Sequence, residues 1–227
     1  MALFALSDLH LSFSSDKSME VFKGWENYTE RIERNWRAIV GEEDTVVIPG
    51  DFSWEMKIEN AVADFSFLHS LPGKKILLKG NHDLWWTSMK KMNEFLESNG
   101  FTSIRILNND AVLVDDVVVC GTRGWLIEES GTDSKLINRE ALRLRMSLEA
   151  GRKLGDDLVV FLHYPPITLE NRCEELIAVL KEFDCKQVYY GHIHGNSGIY
   201  AVNGVVDGID YQLVSCDRVN FTPVGIK

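Results

Sequence analysis

Six short apolar runs, each breaking off into a polar cluster, constrain this chain more than any other feature. Leu3 to Leu6 ends in Ser7-Asp8-Leu9-His10, Thr45 to Ile48 in Pro49-Gly50-Asp51, and Lys75 to Leu78 leads into Gly80-Asn81-His82-Asp83. Val117 to Cys120 ends in Gly121-Thr122-Arg123-Gly124, Leu158 to Leu162 in His163-Tyr164-Pro165-Pro166, and Gln187 to Tyr190 in Gly191-His192-Ile193-His194. Short β-branched runs without polar alternation suit strands buried on both faces. Between several of them the apolar residues recur at helical spacing: Tyr28, Ile32, Trp36 and Ile39 or Val40; Ala61, Phe65 and Leu68; Met89, Met92, Phe95 and Leu96; Leu176, Val179, Leu180 and Phe183. Strand and helix in alternation predict an α/β fold.

Two further patterns add strands. Ile104 to Leu107 and Ala111 to Val114, across Asn108-Asn109-Asp110, predict a hairpin. After His194 the pieces Ile199 to Val202, Val205-Val206, Tyr211 to Val214 and Thr222 to Ile226 predict a C-terminal β meander. Two sheets are therefore expected, in a single domain over residues 1–227, since no linker, repeat or low-complexity tract interrupts the chain. An apolar share of 45% supplies a core for such a fold.

The histidines follow the strands. Five of the six, His10, His82, His163, His192 and His194, stand directly behind an apolar run, with Asp8, Asp51, Asn81 and Asp83 beside them. Ligands of open α/β sheets gather at the carboxyl ends of strands, and mixed imidazole and carboxylate donors suit first-row divalent ions. In Asp8-x-His10 and His192-x-His194 two donors two residues apart can point the same way as the chain leaves a strand. Seven or more donors exceed what one tetrahedral ion uses, whereas two ions sharing a carboxylate would engage them all. His69, near the end of a helical pattern, reads as structural.

The ordered set Asp8-x-His10, Gly50-Asp51, Gly80-Asn81-His82-Asp83, His163 and Gly191-His192-x-His194 resembles the five-block signature of the calcineurin-like metallophosphoesterases, over residues 8 to 194. The resemblance implies a four-layer α/β/β/α sandwich with two mixed sheets. It implies one metal held by Asp8, His10, Asp51 and His194, and a second held by Asp51, Asn81, His163 and His192, with Asp51 bridging. His82 would stand outside the ligand set with Asp83 behind it. Two such ions, roughly 3.5–4 Å apart, would share a water as hydroxide nucleophile. His82 is then the candidate general acid, and Asp83 the group fixing its tautomer. Mn, Fe or Zn fits the donors better than Mg. Neutral imidazole being required, affinity is expected to fall below about pH 6.

Substrate contacts are expected from Arg123, whose guanidinium matches a phosphate, and from Trp86 or Trp125 among the tryptophans near the site loops. Trp54 and Trp85 belong to the same set, and all four also suit packing beneath loops. The stretches Leu11 to Asn27 and Leu126 to Asn138 read as lids by position. With 24 basic against 34 acidic side chains the net charge is −10, which disfavours a broad nucleic-acid face. A small soluble phosphorylated molecule is the expected substrate, a phosphomonoester or phosphodiester; a nuclease or cyclic-nucleotide phosphodiesterase and a non-catalytic protein-binding scaffold are the rival readings. The four cysteines, Cys120, Cys173, Cys185 and Cys216, lack paired spacing and read as buried thiols. With no membrane-length apolar stretch and no membrane partner expected, the cytoplasm is the expected location.

Overall fold

The computed structural model of the chain describes residues 1–125 and 134–226. Four parallel strands, β1 (Leu3–Ala5), β2 (Thr45–Ile48), β3 (Lys74–Leu77) and β4 (Ile104–Ile106), lie side by side in that order. The second sheet holds β5 (Ala111–Val114), β6 (Val117–Thr122), β7 (Leu158–Leu162), β8 (Gln187–Tyr190), β9 (Gly204–Val206) and β10 (Ile209–Leu213), in the order β5-β6-β7-β8-β10-β9. β6, β7, β8 and β10 are parallel, with β5 and β9 antiparallel at the two edges. A last strand, β11 (Val224–Ile226), returns to the first sheet and pairs antiparallel with β1.

Burial explains the unbroken apolar runs. In β2, Val46 and Ile48 face one way and Val47 the other, and all three are wholly buried. Val46 and Ile48 pack with Ile32 and Trp36 of α1 (Tyr28–Ile39), Phe65 of α2 (Val62–Ser70) and Met92 of α3 (Met89–Ser98). Val47 faces the second sheet, where Val119, Val159, Phe161 and Tyr189 complete an apolar layer between the sheets. Across that sheet, Val118, Val160 and Val188 meet Leu144 and Leu148 of α4 (Ser134–Arg152) and Leu176 and Leu180 of α5 (Glu174–Glu182). The result is the expected helix–sheet–sheet–helix sandwich. Each fully buried Val, Leu or Ile side chain contributes about 1.5–3 kcal/mol, so a polar residue in either strand layer is poorly tolerated.

Three local expectations are corrected. Ile104 to Leu107 and Ala111 to Val114 do not pair, because β4 belongs to the first sheet and β5 to the second. The actual hairpin joins β5 to β6 through Asp115-Asp116, with Asp115 in the left-handed region at φ 51°. Nor is the C-terminus a meander: Gly195–Tyr200 is a 3₁₀ segment, only β9 and β10 pair with each other, and β11 crosses to the other sheet. Finally, α4 starts at Ser134, inside the stretch read as a lid, whose residues 126–133 lie outside the described residues. Its periodicity is hidden because Glu140, Ser147 and Gly151 occupy buried positions among Ile137, Leu144 and Leu148. Ser147 belongs there because its hydroxyl accepts from Gly121 N at 2.8 Å and donates to Asp110 O at 2.6 Å.

The four cysteines are free and buried, as their spacing predicts. Among the described residues no helix is long and apolar enough to cross a membrane.

Candidate metal centre

The polar clusters behind β1, β2, β3, β7 and β8 meet at one end of the sandwich, and the backbone turns sharply to make them do so. Asp8, His10, Asp51 and His192 all take left-handed φ values, of 62°, 46°, 51° and 71°. Non-glycine residues rarely do this, at a cost of order 1–3 kcal/mol each, so four together mark a shaped site. The loops are tied to one another through Asp8 N to Gly50 O at 3.0 Å, His10 N to Asp51 O at 2.9 Å and Gly191 N to His163 O at 3.1 Å. Two glycines permit this approach. A Cβ on Gly80 would overlap the Asp51 carboxylate, and one on Gly191 would overlap Ser7 Oγ and Asp8 Oδ2.

The side chains form two groups able to hold a metal, Asp8 with His10 and His194, and Asp51 with His163 and His192. In the first, His194 Nε2 lies 3.1 Å from Asp8 Oδ1 and 3.3 Å from His10 Nε2. In the second, Asn81 Oδ1 lies 2.6 Å from His163 Nε2 and 3.0 Å from His192 Nδ1, so the amide joins the group. Asp51 stands between them, its Oδ2 3.4 Å from His163 Nε2 and 3.7 Å from His10 Nε2. Every expected ligand is thus brought together. Donors bound at about 2.0–2.2 Å to one ion lie roughly 3–3.5 Å apart; four of these six contacts fall in that range, with Asn81 to His163 shorter at 2.6 Å and Asp51 to His10 longer at 3.7 Å.

The electrostatics fit a cation as well. Burial pushes His163 down to about 3 and His192 down to about 4, and holds His10 well below its ordinary value. These imidazoles are therefore neutral, the form that ligates. Burial, then the nearby charges of Asp8 and Asp83, push Asp51 up to about 9. Asp8 is held well below the usual carboxylate range: burial opposes its charge, and His194, by charge and by hydrogen bond, leads the groups that hold it down. His194 rises to about 10 against the effect of burial, through Asp8 and Asp217. The buried Nδ1 of His10 has no hydrogen-bond partner among the described residues. A site with this surplus of carboxylate repulsion and lone pairs suits divalent ions.

Outer partners hold the donors. His163 Nδ1 lies 3.1 Å from Pro49 O, which aims Nε2 at Asn81 and Asp51. Asp8 Oδ2 accepts from Ser215 Oγ at 2.9 Å, and His194 Nδ1 lies 2.8 Å from Asp217 Oδ1. Sequence reading passed over Ser215 and Asp217. They follow Tyr211 to Val214, a strand whose apolar residues are interrupted by Gln212, so that it stands out less than the other six, but it too ends in polar residues, and that ending is the signal that points to them.

Asp83 has a different task from the one expected. Wholly buried, it accepts from the backbone N–H groups of Asp51 and Gly80 at Oδ2, and from Phe52, Ser53 and Trp85 Nε1 at Oδ1. Its oxygens are engaged there and not with His82, so Asp83 ties the two ligand loops together. Nor does it cap a helix; Ser88 caps α3. His82 donates its backbone N–H to Asp51 Oδ1 at 2.8 Å, and its half-buried ring leans on Trp54, 4.3 Å between centroids.

His10, His82 and His194 open into a cavity of about 490 Å³ walled by Trp25, Trp54 and Met19. Trp54 stacks on His10 at 4.9 Å. Trp25, which sequence reading missed inside the presumed lid, lies 5.7 Å from His194. Trp85 is buried in the core. Trp86, Trp125 and Arg123 stand elsewhere. Trp86 and Arg123 line a neighbouring cavity of about 370 Å³, and Trp125 lies under the Arg123 guanidinium at 4.8 Å. His69 binds Ser103 Oγ at 2.7 Å and takes no part in the site.

Residues 1–196 match the sequence profile described as calcineurin-like phosphoesterase. No curated protein sequence matches the chain. Among solved structures, a Thermus thermophilus protein, TT1561, is similar at 12% identity and TM-score 0.57, over 99% of this chain and 97% of that one. A protein of unknown function from Aquifex aeolicus aligns at 16% identity and TM-score 0.54, over 99% and 95% of the two chains. Phosphopantetheinyl hydrolase from Mycobacterium tuberculosis aligns at 11% identity and TM-score 0.53, over 99% and 95%. At such identities the likeness is one of fold.

Proposed function

Because the chain belongs to the calcineurin-like phosphoesterase family, we propose that it is a hydrolase of phosphate esters on a small soluble substrate, dependent on two divalent metal ions. The observation that carries this reading is the pair of donor groups facing each other across Asp51. Asp8, His10, Asp51 and His194 would hold one ion, and Asp51, Asn81, His163 and His192 the other. When bound, the pair would lower the pKa of a water towards neutrality and neutralise phosphate oxygens.

The remaining steps belong to the chain. His82 is half-buried at the rim of the cavity shared with His10 and His194, where a leaving oxygen would emerge. Its role is to donate a proton or hydrogen bond to that oxygen. Trp54, stacked on His10 and leaning on His82, keeps both rings in place and excludes water from one side. Asp83 keeps the Asp51 and Gly80 loops in register.

Metal analysis of the purified protein, joined to a panel of phosphomonoesters and phosphodiesters under added Mn²⁺, tests the reading. Two metals per chain and turnover on at least one class are expected. His82→Ala should keep both metals and lose on the order of 10²–10⁴ in rate on an ester with a poor leaving group. A fully loaded protein that hydrolyses no member of the panel would refute the assignment.

A further inference from the structure

The 370 Å³ cavity beside the second donor group is lined by Lys79, Arg123, Arg139 and Arg143, with Trp86 and Asn108. None of its described lining residues is acidic. Glu140, wholly buried behind it, is 2.6 Å from Arg143, 3.7 Å from Arg123 and 3.9 Å from Arg139. Four cations against that one carboxylate leave a local surplus of three positive charges among the described residues (4 − 1 = 3). The surplus sits in a chain whose net charge is −10. Among the described residues Lys79 has no carboxylate in ion-pair reach, and the buried Nε of Arg123 has no hydrogen-bond partner.

Position ties the cavity to the metal centre. Lys79 precedes Asn81 by two residues, so their Cα atoms are at most about 7 Å apart. The carbonyl of Arg123 accepts from His163 N at 3.1 Å and from Tyr164 N at 2.9 Å. The cations come from three elements, the turn after β3, the end of β6 and the first half of α4. That spread surrounds a tetrahedral dianion, whereas a planar carboxylate is saturated by one or two guanidiniums. Concave walls also focus the field on an incoming anion.

We propose that this cavity is a subsite for a second phosphate group of the substrate, so that preferred substrates carry two phosphates on one small scaffold, the scissile ester at the donors around Asp51 and the other in the cavity. The substrate role rests on the phosphoesterase reading above; anion binding by the cavity does not.

Two measurements separate these parts. Inorganic phosphate is titrated by calorimetry into the full chain stripped of metal, and again after Mn²⁺ is restored. Binding is expected without metal, weakened about tenfold or more by Arg139→Ala or Lys79→Met and partly restored by Arg139→Lys. Arg139 is half-exposed and makes the longest of the three contacts with Glu140, so its removal leaves Arg143 and Arg123 to hold that carboxylate. Phosphate binding only when metal is present, or unchanged in both variants, overturns the subsite. The second measurement compares kcat/KM on matched pairs, adenosine 5′-monophosphate against adenosine 3′,5′-bisphosphate and fructose 6-phosphate against fructose 1,6-bisphosphate. At least one bisphosphate should be preferred about tenfold, through KM, with the preference lost in Arg139→Ala. Equal efficiency within both pairs overturns the substrate role and leaves a site for free phosphate. No turnover on any of the four removes the phosphoesterase reading and the substrate role with it, while the calorimetry still decides the subsite.

Discussion

Replacing Asp83 by Asn tests whether the metal centre is held by its loops or only by its ligands. Five donors converge on this carboxylate, the N–H groups of Asp51 and Gly80 on one oxygen and those of Phe52, Ser53 and Trp85 on the other. Burial pushes the Asp83 carboxyl up, and four of these donors pull the other way. The amide that loses least keeps the oxygen facing three donors and turns its NH₂ towards Asp51 and Gly80. Two hydrogen bonds to a charged acceptor are then lost, at about 1.5–3 kcal/mol each, or about 3–6 kcal/mol together. Against a domain stability of about 5–15 kcal/mol the variant stays folded or marginally so. With a urea m-value of about 2–3 kcal/mol/M its unfolding midpoint drops by roughly 1–3 M. The functional effect is sharper, because the bond from Asp51 N–H to Asp83 is one of the ties that hold Asp51 at its left-handed φ of 51°. Released, the residue relaxes and its carboxylate leaves the position between the two groups. Metal affinity should fall by about 10–100-fold, read by metal content after gel filtration alongside urea unfolding. An Asp83→Asn protein with an unchanged midpoint and a full complement of metal would refute the reasoning.

Asp217→Ala removes the partner of His194 Nδ1 and should weaken metal binding by about 10–100-fold with little loss of fold, measured by competition with a chelating dye; unaltered affinity would reduce Asp217 to a surface residue. Since Asp51 and His194 are pushed up to about 9 and about 10, both carry a proton at pH 7 before metal binds. Loading should therefore release about two protons per chain, seen by calorimetry in buffers of different ionisation enthalpy. Affinity should then climb through pH 7 to 9, whereas with unperturbed imidazoles it would level off at about pH 7; a release near zero contradicts the assignment. Stability of the metal-free protein should peak near pH 6.5. Below it, His163 and His192, pushed down to about 3 and about 4, contribute stability that is present above 6.5 and lost as pH falls towards those values. Above it, the contribution of His194, full below 6.5, is lost as pH rises to about 10. Urea midpoints across pH 4 to 10 that rise steadily in either direction would contradict this balance.

What the sequence by itself determined was the set of strands and the donors behind them. A strand buried on both faces must be apolar throughout, as Val46, Val47 and Ile48 are, so burial leaves a local trace. The polar residues that follow, from Asp8 to His194, stand out because they end such runs. Sheet membership left no trace of that kind. The patterns of β4 and β5 suit a hairpin equally well, and only packing across the whole domain assigns them to different sheets. The long helix α4 was obscured because Glu140 and Ser147 occupy buried positions that local periodicity reserves for apolar side chains. Tertiary structure alone also decided how the site is held. Asp8 meets His194 across 186 residues of chain, and the left-handed turns that aim both donor groups are fixed by neighbouring loops. The tie that Asp83 makes between two loops, the support of Asp217 for His194, and the gathering of Lys79, Arg123, Arg139 and Arg143 around one cavity have the same origin. Each is a relation between distant segments, whose energy depends on where the rest of the fold puts them, whereas the apolar run is a property that a strand carries wherever it is buried.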